Sequence, residues 1–176
     1  MGKQRIHLDT SVLICCIHAK AANKLGRNPD KDKVEYGNKL IAKLKNEKKN
    51  PEVEIVVSSE ALGETVNKLK NIHEENDFLE CIKALFDILN ELSIEYCPPR
   101  IDVDEIAIEI AKRDKLLGSE FSDCQIVAYA LADRDSTELI TLEGKIIKSV
   151  KLKELIEDMK KDGRRERGLR ITSRES

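Results

Sequence analysis

Four acidic residues stand where predicted strands end or the next helices begin. Asp9 directly follows the first short apolar run, and Glu143 follows the run ELIT. Asp123 stands at the start of an apolar helical segment, and Glu64 lies in a helix that follows another apolar run. Because ligands of an open parallel sheet bind beyond the carboxyl ends of its strands, we expect these four acids to lie near one another.

Clustered carboxylates repel each other unless a cation joins them, and hard oxygen ligands suit Mg²⁺ or Mn²⁺ rather than zinc. Such ions activate water and neutralise phosphate charge in phosphodiester hydrolysis. The pattern therefore favours a metal-dependent hydrolase acting on a polyanion. Each acid alone also has an ordinary explanation, as a turn residue, a surface-helix acid or a helix N-terminal acid. Glu60 competes with Glu64, one helical turn away, and Glu120 competes as a further acid beside Asp123.

The elements that would position these acids alternate along the chain. Strands are predicted at residues 6–8, 54–57, 94–97 and 138–141, with segments of helical periodicity between them and a last helix to about residue 160. Ser122 followed by Gln125 is a capping-box pattern, which predicts Asp123 as the first helical residue. Alternation of this kind predicts an α/β fold, three layers α/β/α around a mostly parallel sheet of four or five strands.

The length of 176 residues fits one domain, which we assign to residues 1–160. Residues 161–176 are basic and poor in apolar anchors, and we expect a flexible tail. The five cysteines show no metal-type C-x-x-C spacing and are interpreted as reduced, buried thiols. The histidines at 7, 18 and 73 are dispersed and receive no role. With no signal peptide or membrane-length apolar run, we expect a soluble, cytoplasmic protein.

The 31 basic and 33 acidic residues nearly cancel, so RNA would have to bind a local basic surface. With aromatic residues at 3%, contacts to backbone phosphate would dominate over base stacking. Each candidate could equally belong to a solvated helix face. The candidates are Lys43, Lys45, Lys48, Lys49, Lys112, Arg113, Lys115, Arg164, Arg165, Arg167 and Arg170.

Four segments together resemble the PIN domain, the nuclease fold of VapC-type toxins and of RNA-processing proteins. They are IHLDTSVL at 6–13, VVSSEALGETVNKL at 56–69, FSDCQIVAYAL at 121–131 and ELITLEGKI at 138–146. Each motif is short and tolerant, so the resemblance depends on the presence of all four in order.

The resemblance implies an endoribonuclease that uses Mg²⁺ or Mn²⁺. It assigns Asp9, Glu64 and Asp123 to the acidic cluster, with Ser11 as a polar supporting residue. Glu143 stands where the family more often has Asp, so its longer side chain could reach the metal directly or through water.

Several alternatives stay open. The chain could be a non-catalytic PIN-like module that binds RNA or a protein, and the enzyme could be a toxin with an antitoxin partner or an RNA-processing factor. The apolar helix at 78–89 could pair two copies into a homodimer or be buried within its own domain.

Overall fold

A single parallel sheet forms the centre of the computed structural model, which describes residues 3–175. Its strands are β1 (Gln4–Leu8), β2 (Val53–Ser58), β3 (Glu95–Cys97), β4 (Ser136–Ile140) and β5 (Arg170–Thr172). They lie in the order β3-β2-β1-β4-β5, and every neighbouring pair is parallel. The prediction of an α/β fold around a mostly parallel sheet is confirmed, and all five carboxyl ends meet at one edge.

Helices connect these strands and cover both faces of the sheet. The helix α1 packs against α2, α3 and α4, and α5 packs against α7 and α9. Their bounds are α1 (Thr10–Ala21), α2 (Lys31–Glu47), α3 (Ser59–Ile72), α4 (Glu75–Glu91), α5 (Ile101–Arg113), α6 (Lys115–Gly118), α7 (Phe121–Ala132), α8 (Gly144–Lys148) and α9 (Val150–Lys161), with one 3-10 turn at Ala22–Lys24. The layered α/β/α arrangement predicted from the alternation is present.

Local sequence explains why the chain turns sharply at the edge that carries the acids. Strand β2 is fully buried, and at its end Ser58 accepts a hydrogen bond from the backbone N–H of Ala61, which caps α3. Asp9 caps α1 in the same way, through the backbone N–H of Thr10. Helices α1 and α3 therefore begin directly at this edge, each at the end of one of two neighbouring strands.

The prediction of a flexible tail at 161–176 is wrong for the residues that the structure describes. Strand β5 lies within that segment and pairs with β4 along the edge of the sheet. Glu138 in β4 is only 1% exposed, and the tail residue Arg174 forms an ion pair with it. A buried carboxylate is costly without a partner, so this arginine offsets the cost and fixes the tail.

Arg165 is the largest of the fully buried side chains. Its guanidinium donates to the backbone carbonyls of Ala130, Leu131, Asp133 and Ser136 at 2.6–3.0 Å. Carbonyls at the end of a helix have no partner within it, and a cation there also favours the helix dipole. Arg165 therefore closes the end of α7 and is not available to RNA, contrary to the sequence-based prediction.

The helix predicted at 78–89 is α4, and it has both buried and exposed apolar residues. Cys81, Leu85 and Ile88 are buried in the core, whereas Leu79 and Phe86 are 49% and 60% exposed. Homodimer formation through this helix stays a prediction. No helix in the described part of the chain combines the length and apolarity needed to cross a membrane.

Candidate functional site

Asp9 lies at the end of β1, and its buried carboxylate accepts three hydrogen bonds. Oδ1 accepts from the backbone N–H of Thr10 at 2.7 Å. Oδ2 accepts from the hydroxyl of Ser11 at 2.7 Å and from that of Thr141 at 2.6 Å. Burial raises the pKa of Asp9 despite these hydrogen bonds, and the charge of Glu64 raises it further. The carboxylate is held in one orientation in an environment that disfavours its charge.

Glu64 reaches the same edge from the second turn of α3. Its Oε2 accepts a hydrogen bond from the hydroxyl of Thr10 at 3.0 Å, and its Oε1 lies 2.6 Å from Lys68 Nζ. Burial acts to lower the pKa of Lys68, but the hydrogen bond to Glu64 and the charges of Glu64, Asp9 and Glu143 outweigh it. The pKa of Lys68 is therefore raised. The site therefore contains an internal cation that faces three of the four predicted acids.

Asp123 is the third residue of α7, not its first, so the predicted capping box at Ser122 is wrong. The helix begins at Phe121, and the carbonyl of Glu120 already accepts from the backbone N–H of Asp123 at 3.0 Å. Asp123 still lies in the first turn, where the helix dipole favours a negative charge. Its side chain is only 6% exposed.

One oxygen of the Asp123 carboxylate lies beside a lysine. Oδ2 lies 2.5 Å from Lys145 Nζ, so this buried oxygen is part of an ion pair. Burial raises the pKa of Asp123; Lys145 acts to lower it, and the charges of Asp9 and Glu120 raise it further.

Glu143 is half-buried at the start of α8, beside the strand end that carries Thr141. Its backbone N–H donates to the hydroxyl of Thr141 at 3.0 Å, and the Thr141 hydroxyl donates to Asp9. Thr141 thus links the loop that carries Glu143 to Asp9. The Glu143 carboxylate itself has no ion pair or hydrogen bond among the described residues. Its reach to a metal stays a prediction.

The two competing acids differ in position. Glu60 is half-buried in the first turn of α3, and its pKa is raised by burial first and then by Glu64 and Asp104. It has no contact with Asp9 or its hydroxyl partners, so Glu64 is the better placed of the two. Glu120 is exposed and lies 3.0 Å from Lys145, the lysine that also contacts Asp123.

Sequence reasoning missed the residues that hold these acids in place. Thr10 and Thr141 supply hydroxyl donors, and Lys68 and Lys145 supply positive charge. Thr141 ends the apolar run ELIT, which is the signal that could have identified it. If all four predicted acids are ionised, the two lysines leave two negative charges uncompensated, which matches one divalent cation. The carboxylate and hydroxyl oxygens present are ligands suited to Mg²⁺ or Mn²⁺.

The basic residues predicted to contact RNA are mostly engaged within the protein. Lys45 pairs with Glu91, Arg113 with Glu109 and Asp158, and Arg164 with Glu109 and Asp162. These pairs are solvent-exposed and therefore weak, so a polyanion could displace them. Arg165 is excluded because it is buried.

Two histidines without a predicted role lie together beside a cysteine. His18 Nε2 and His73 Nε2 are 2.8 Å apart. One ring nitrogen of each histidine and Cys81 Sγ all lie within 4.8 Å of one another. Their sequence separation hides this cluster, since no two of them have a metal-ligand spacing. His18 is 7% exposed and Cys81 is fully buried. Burial, followed by the charge of His73, lowers the pKa of His18 to about 4, so this ring is neutral near pH 7.

Comparison with known protein families and with curated proteins finds no match to this chain.

Proposed function

We propose that this chain is a metal-dependent endoribonuclease of PIN-like type, with Asp9, Glu64 and Asp123 as its metal-binding acids. The observation that carries the proposal is the convergence of these acids on one edge of the sheet, where burial and the charges of neighbouring acids raise the pKa of both Asp9 and Asp123. A bound divalent cation would relieve this repulsion and favour the charged form of the carboxylates.

The resemblance of the four sequence segments to PIN domains supports the same proposal. All four segments contribute to one edge of the sheet: Asp9 follows β1, Glu64 lies in α3 after β2, Asp123 in α7 and Glu143 after β4. The substitution of Glu for the more usual Asp at 143 affects the acid with the fewest contacts. Asp9, Glu64 and Asp123 therefore carry the proposed activity, with Glu143 as a further ligand.

A bound Mg²⁺ or Mn²⁺ would activate water and neutralise charge on the scissile phosphate. The residues of the chain have separate tasks around it. Ser11 and Thr141 orient the Asp9 carboxylate by donating to the same oxygen, and Thr10 orients Glu64. Lys68 and Lys145 border the acids and would meet the phosphate backbone of RNA as it enters. Binding should then weaken steeply with salt.

The substitution Asp9→Asn tests the proposal most directly. It removes one anionic ligand, and we expect Mg²⁺- or Mn²⁺-dependent cleavage of single-stranded or structured RNA to fall at least about 1000-fold, since metal catalysis contributes several kcal/mol to the barrier. Asp135→Asn is the matched control, because Asp135 is exposed and precedes β4 at the opposite edge of the sheet. Its activity should equal that of the wild type. Equal residual cleavage by wild type and Asp9→Asn would mean a contaminating nuclease.

A non-catalytic module that binds RNA or a protein is the second candidate, and the two lysines favour it. Lys68 and Lys145 already contact Glu64 and Asp123, so the acids are partly compensated without a metal. Calorimetric titration separates the two candidates. Tight Mn²⁺ binding that depends on the acids, together with turnover of RNA, excludes the module, whereas RNA binding without either supports it.

Within the enzyme proposal, a toxin and an RNA-processing factor remain the two roles. A small antitoxin gene immediately upstream would support the toxin. The proposed compartment is the cytoplasm, where free thiols such as the five cysteines of this chain stay reduced.

A further inference from the structure

Three helical elements bring nitrogen and sulfur ligands to one point, away from the carboxylates at the end of the sheet. His18 lies in α1, His73 directly follows α3, and Cys81 lies on the buried face of α4. The connection between α3 and α4 is only two residues long, so His73 is held between the helices. Its backbone N–H also donates to the carbonyl of Leu69 at 3.1 Å.

The three side chains form a ligand set that suits a zinc-class ion. Imidazole nitrogen and thiolate sulfur bind Zn²⁺ in tetrahedral sites, whereas Mg²⁺ and Mn²⁺ prefer oxygen. Without a metal, one imidazole N–H donates to the other ring across the 2.8 Å between the Nε2 atoms. In a tetrahedral site with bonds of about 2.0–2.1 Å, two nitrogens lie about 3.3–3.4 Å apart, so the rings need to separate by roughly 0.5 Å.

A cavity of about 580 Å³ opens onto this cluster. His18 and His73 line it, and so do Ser11, Lys68 and Glu143 from the carboxylate site. Cys81 lies behind the histidines and does not border the cavity. An ion held by these three residues would therefore have a route of entry and one coordination position left for water.

The charges nearest the cluster act in opposite directions. Burial raises the pKa of the Cys81 thiol, and the negative charges of Asp77 and Glu80 raise it further. Asp77 lies one helical turn before Cys81 and would also attract a cation. Lys33 lowers the pKa of His18 and would repel a cation. Asp77 also accepts from the backbone N–H groups of Gly26 and Arg27 at 2.8 and 3.2 Å, which holds the loop between α1 and α2 close to α4.

We propose that His18, His73 and Cys81 bind one Zn²⁺ ion, which ties α1, α3 and α4 together. This site is separate from the carboxylate site and does not depend on the proposed ribonuclease activity. Its ligands come from helix packing, and its metal preference is the opposite of that of the carboxylates.

The test uses Co²⁺ as a coloured substitute for Zn²⁺ on the full chain after treatment with a chelator. The wild type should bind one Co²⁺ with a thiolate-to-cobalt charge-transfer absorption band, and added Zn²⁺ should displace it. Cys81→Ser should abolish the band and weaken Zn²⁺ binding more than about 100-fold, because even contacts outside the ligand shell are worth about 10–100-fold. Cys16→Ser is the matched control, because Cys16 is equally buried in α1 and lies outside the cluster.

A second variant guards against loss of the fold in Cys81→Ser. His73→Gln changes a half-buried residue between two helices and should weaken Zn²⁺ binding by a similar factor while leaving the circular dichroism spectrum unchanged. Asp9→Asn should keep the charge-transfer band, since the carboxylates provide no sulfur. Absence of the band in the wild type, or the same band and Zn²⁺ affinity in Cys81→Ser and His73→Gln, overturns the proposal.

Discussion

The carboxylate cluster borders one cavity through Glu143, and the His18–His73–Cys81 cluster borders the same cavity through its histidines. The two clusters differ in how the chain assembles them. The acids stand at strand ends and helix starts, on elements whose positions follow from the parallel topology. The histidines and the cysteine stand on helices and on a helix connection, and they meet only because α1 packs against α3 and α4. A site built on strand ends can therefore be read from local pattern, whereas a site built on helix contacts cannot.

The two clusters also differ in ligand chemistry. Hard oxygen atoms and two lysines surround Asp9, and soft nitrogen and sulfur atoms make up the other cluster. A substitution that perturbs one cluster should leave the metal binding of the other unchanged. The Mn²⁺ affinity of the acids and the thiolate band of bound Co²⁺ report on the two clusters separately.

The largest effect is expected from Arg174→Met, which breaks the buried pair with Glu138. The buried carboxylate would then keep only Arg170, whose side chain is 67% exposed, so the free energy of unfolding should fall by about 3 kcal/mol. Loss of this ion pair should loosen β5. The Thr172 carbonyl of that strand accepts from the backbone N–H of Thr141, so Mn²⁺ binding should weaken as well. Urea denaturation measures the first effect and calorimetry the second.

Arg170→Met is the control for that prediction. Arg170 contacts the same Glu138 but its side chain is 67% exposed, so its loss should cost less than about 1 kcal/mol. The Co²⁺ thiolate band should persist in both variants, because α1, α3 and α4 do not contact the tail through this pair. Loss of the band in Arg174→Met alone would show that the two clusters are coupled through the fold.

An intermediate effect is expected from Thr141→Val. This change keeps the shape of the side chain but removes the hydroxyl that donates to Asp9 Oδ2 and accepts from the backbone N–H of Glu143. We expect Mn²⁺ affinity to fall about 10–100-fold, the usual cost of removing a partner of a metal ligand. Thr137→Val, which removes only a weak hydrogen bond to the carbonyl of Arg5, should leave it unchanged. Unaltered Mn²⁺ binding in Thr141→Val would argue against Asp9 as a ligand.

The smallest effect concerns the pH dependence of stability without metal. Because burial raises the pKa of Asp123, the folded protein retains this proton to higher pH than the unfolded chain does. The folded state therefore loses stability as pH rises from the ordinary carboxyl value of 3.8 through the raised pKa. Asp123→Asn removes this loss, so its free energy of unfolding relative to the wild type should rise as the pH increases above 3.8.

Asp133→Asn should behave in the opposite way. The pKa of Asp133 is lowered to about 2, because its contacts with His7 and Arg5 outweigh the effect of burial. The carboxylate contributes stability that is complete above pH 3.8 and is lost as pH falls towards 2, so the variant should become less stable relative to the wild type as pH rises through that range. Denaturation curves from pH 2 to 7 measure both variants. A parallel response of the two would contradict the different environments of these acids.

Much of the fold was predictable because apolar periodicity is a local property. The four strands predicted from apolar runs are present, although β4 begins at Ser136 and ends at Ile140 rather than covering 138–141. The start of α7 was misplaced because a capping-box pattern at Ser122 competes with the turn after α6, and the Glu120 carbonyl decides the outcome. Strand β5 was missed because RIT is short and surrounded by charge, and its pairing partner lies about 30 residues earlier.

The sequence by itself determined the α/β class, the alternation of elements and the acids at the carboxyl edge, because side-chain periodicity and parallel topology suffice for these. Only the tertiary structure decided that Thr141 and Ser11 hold Asp9, that Arg165 closes α7 from inside the protein, and that His18, His73 and Cys81 meet. Those contacts join residues far apart in the chain. They depend on the distances between packed helices, which no local pattern of residues encodes.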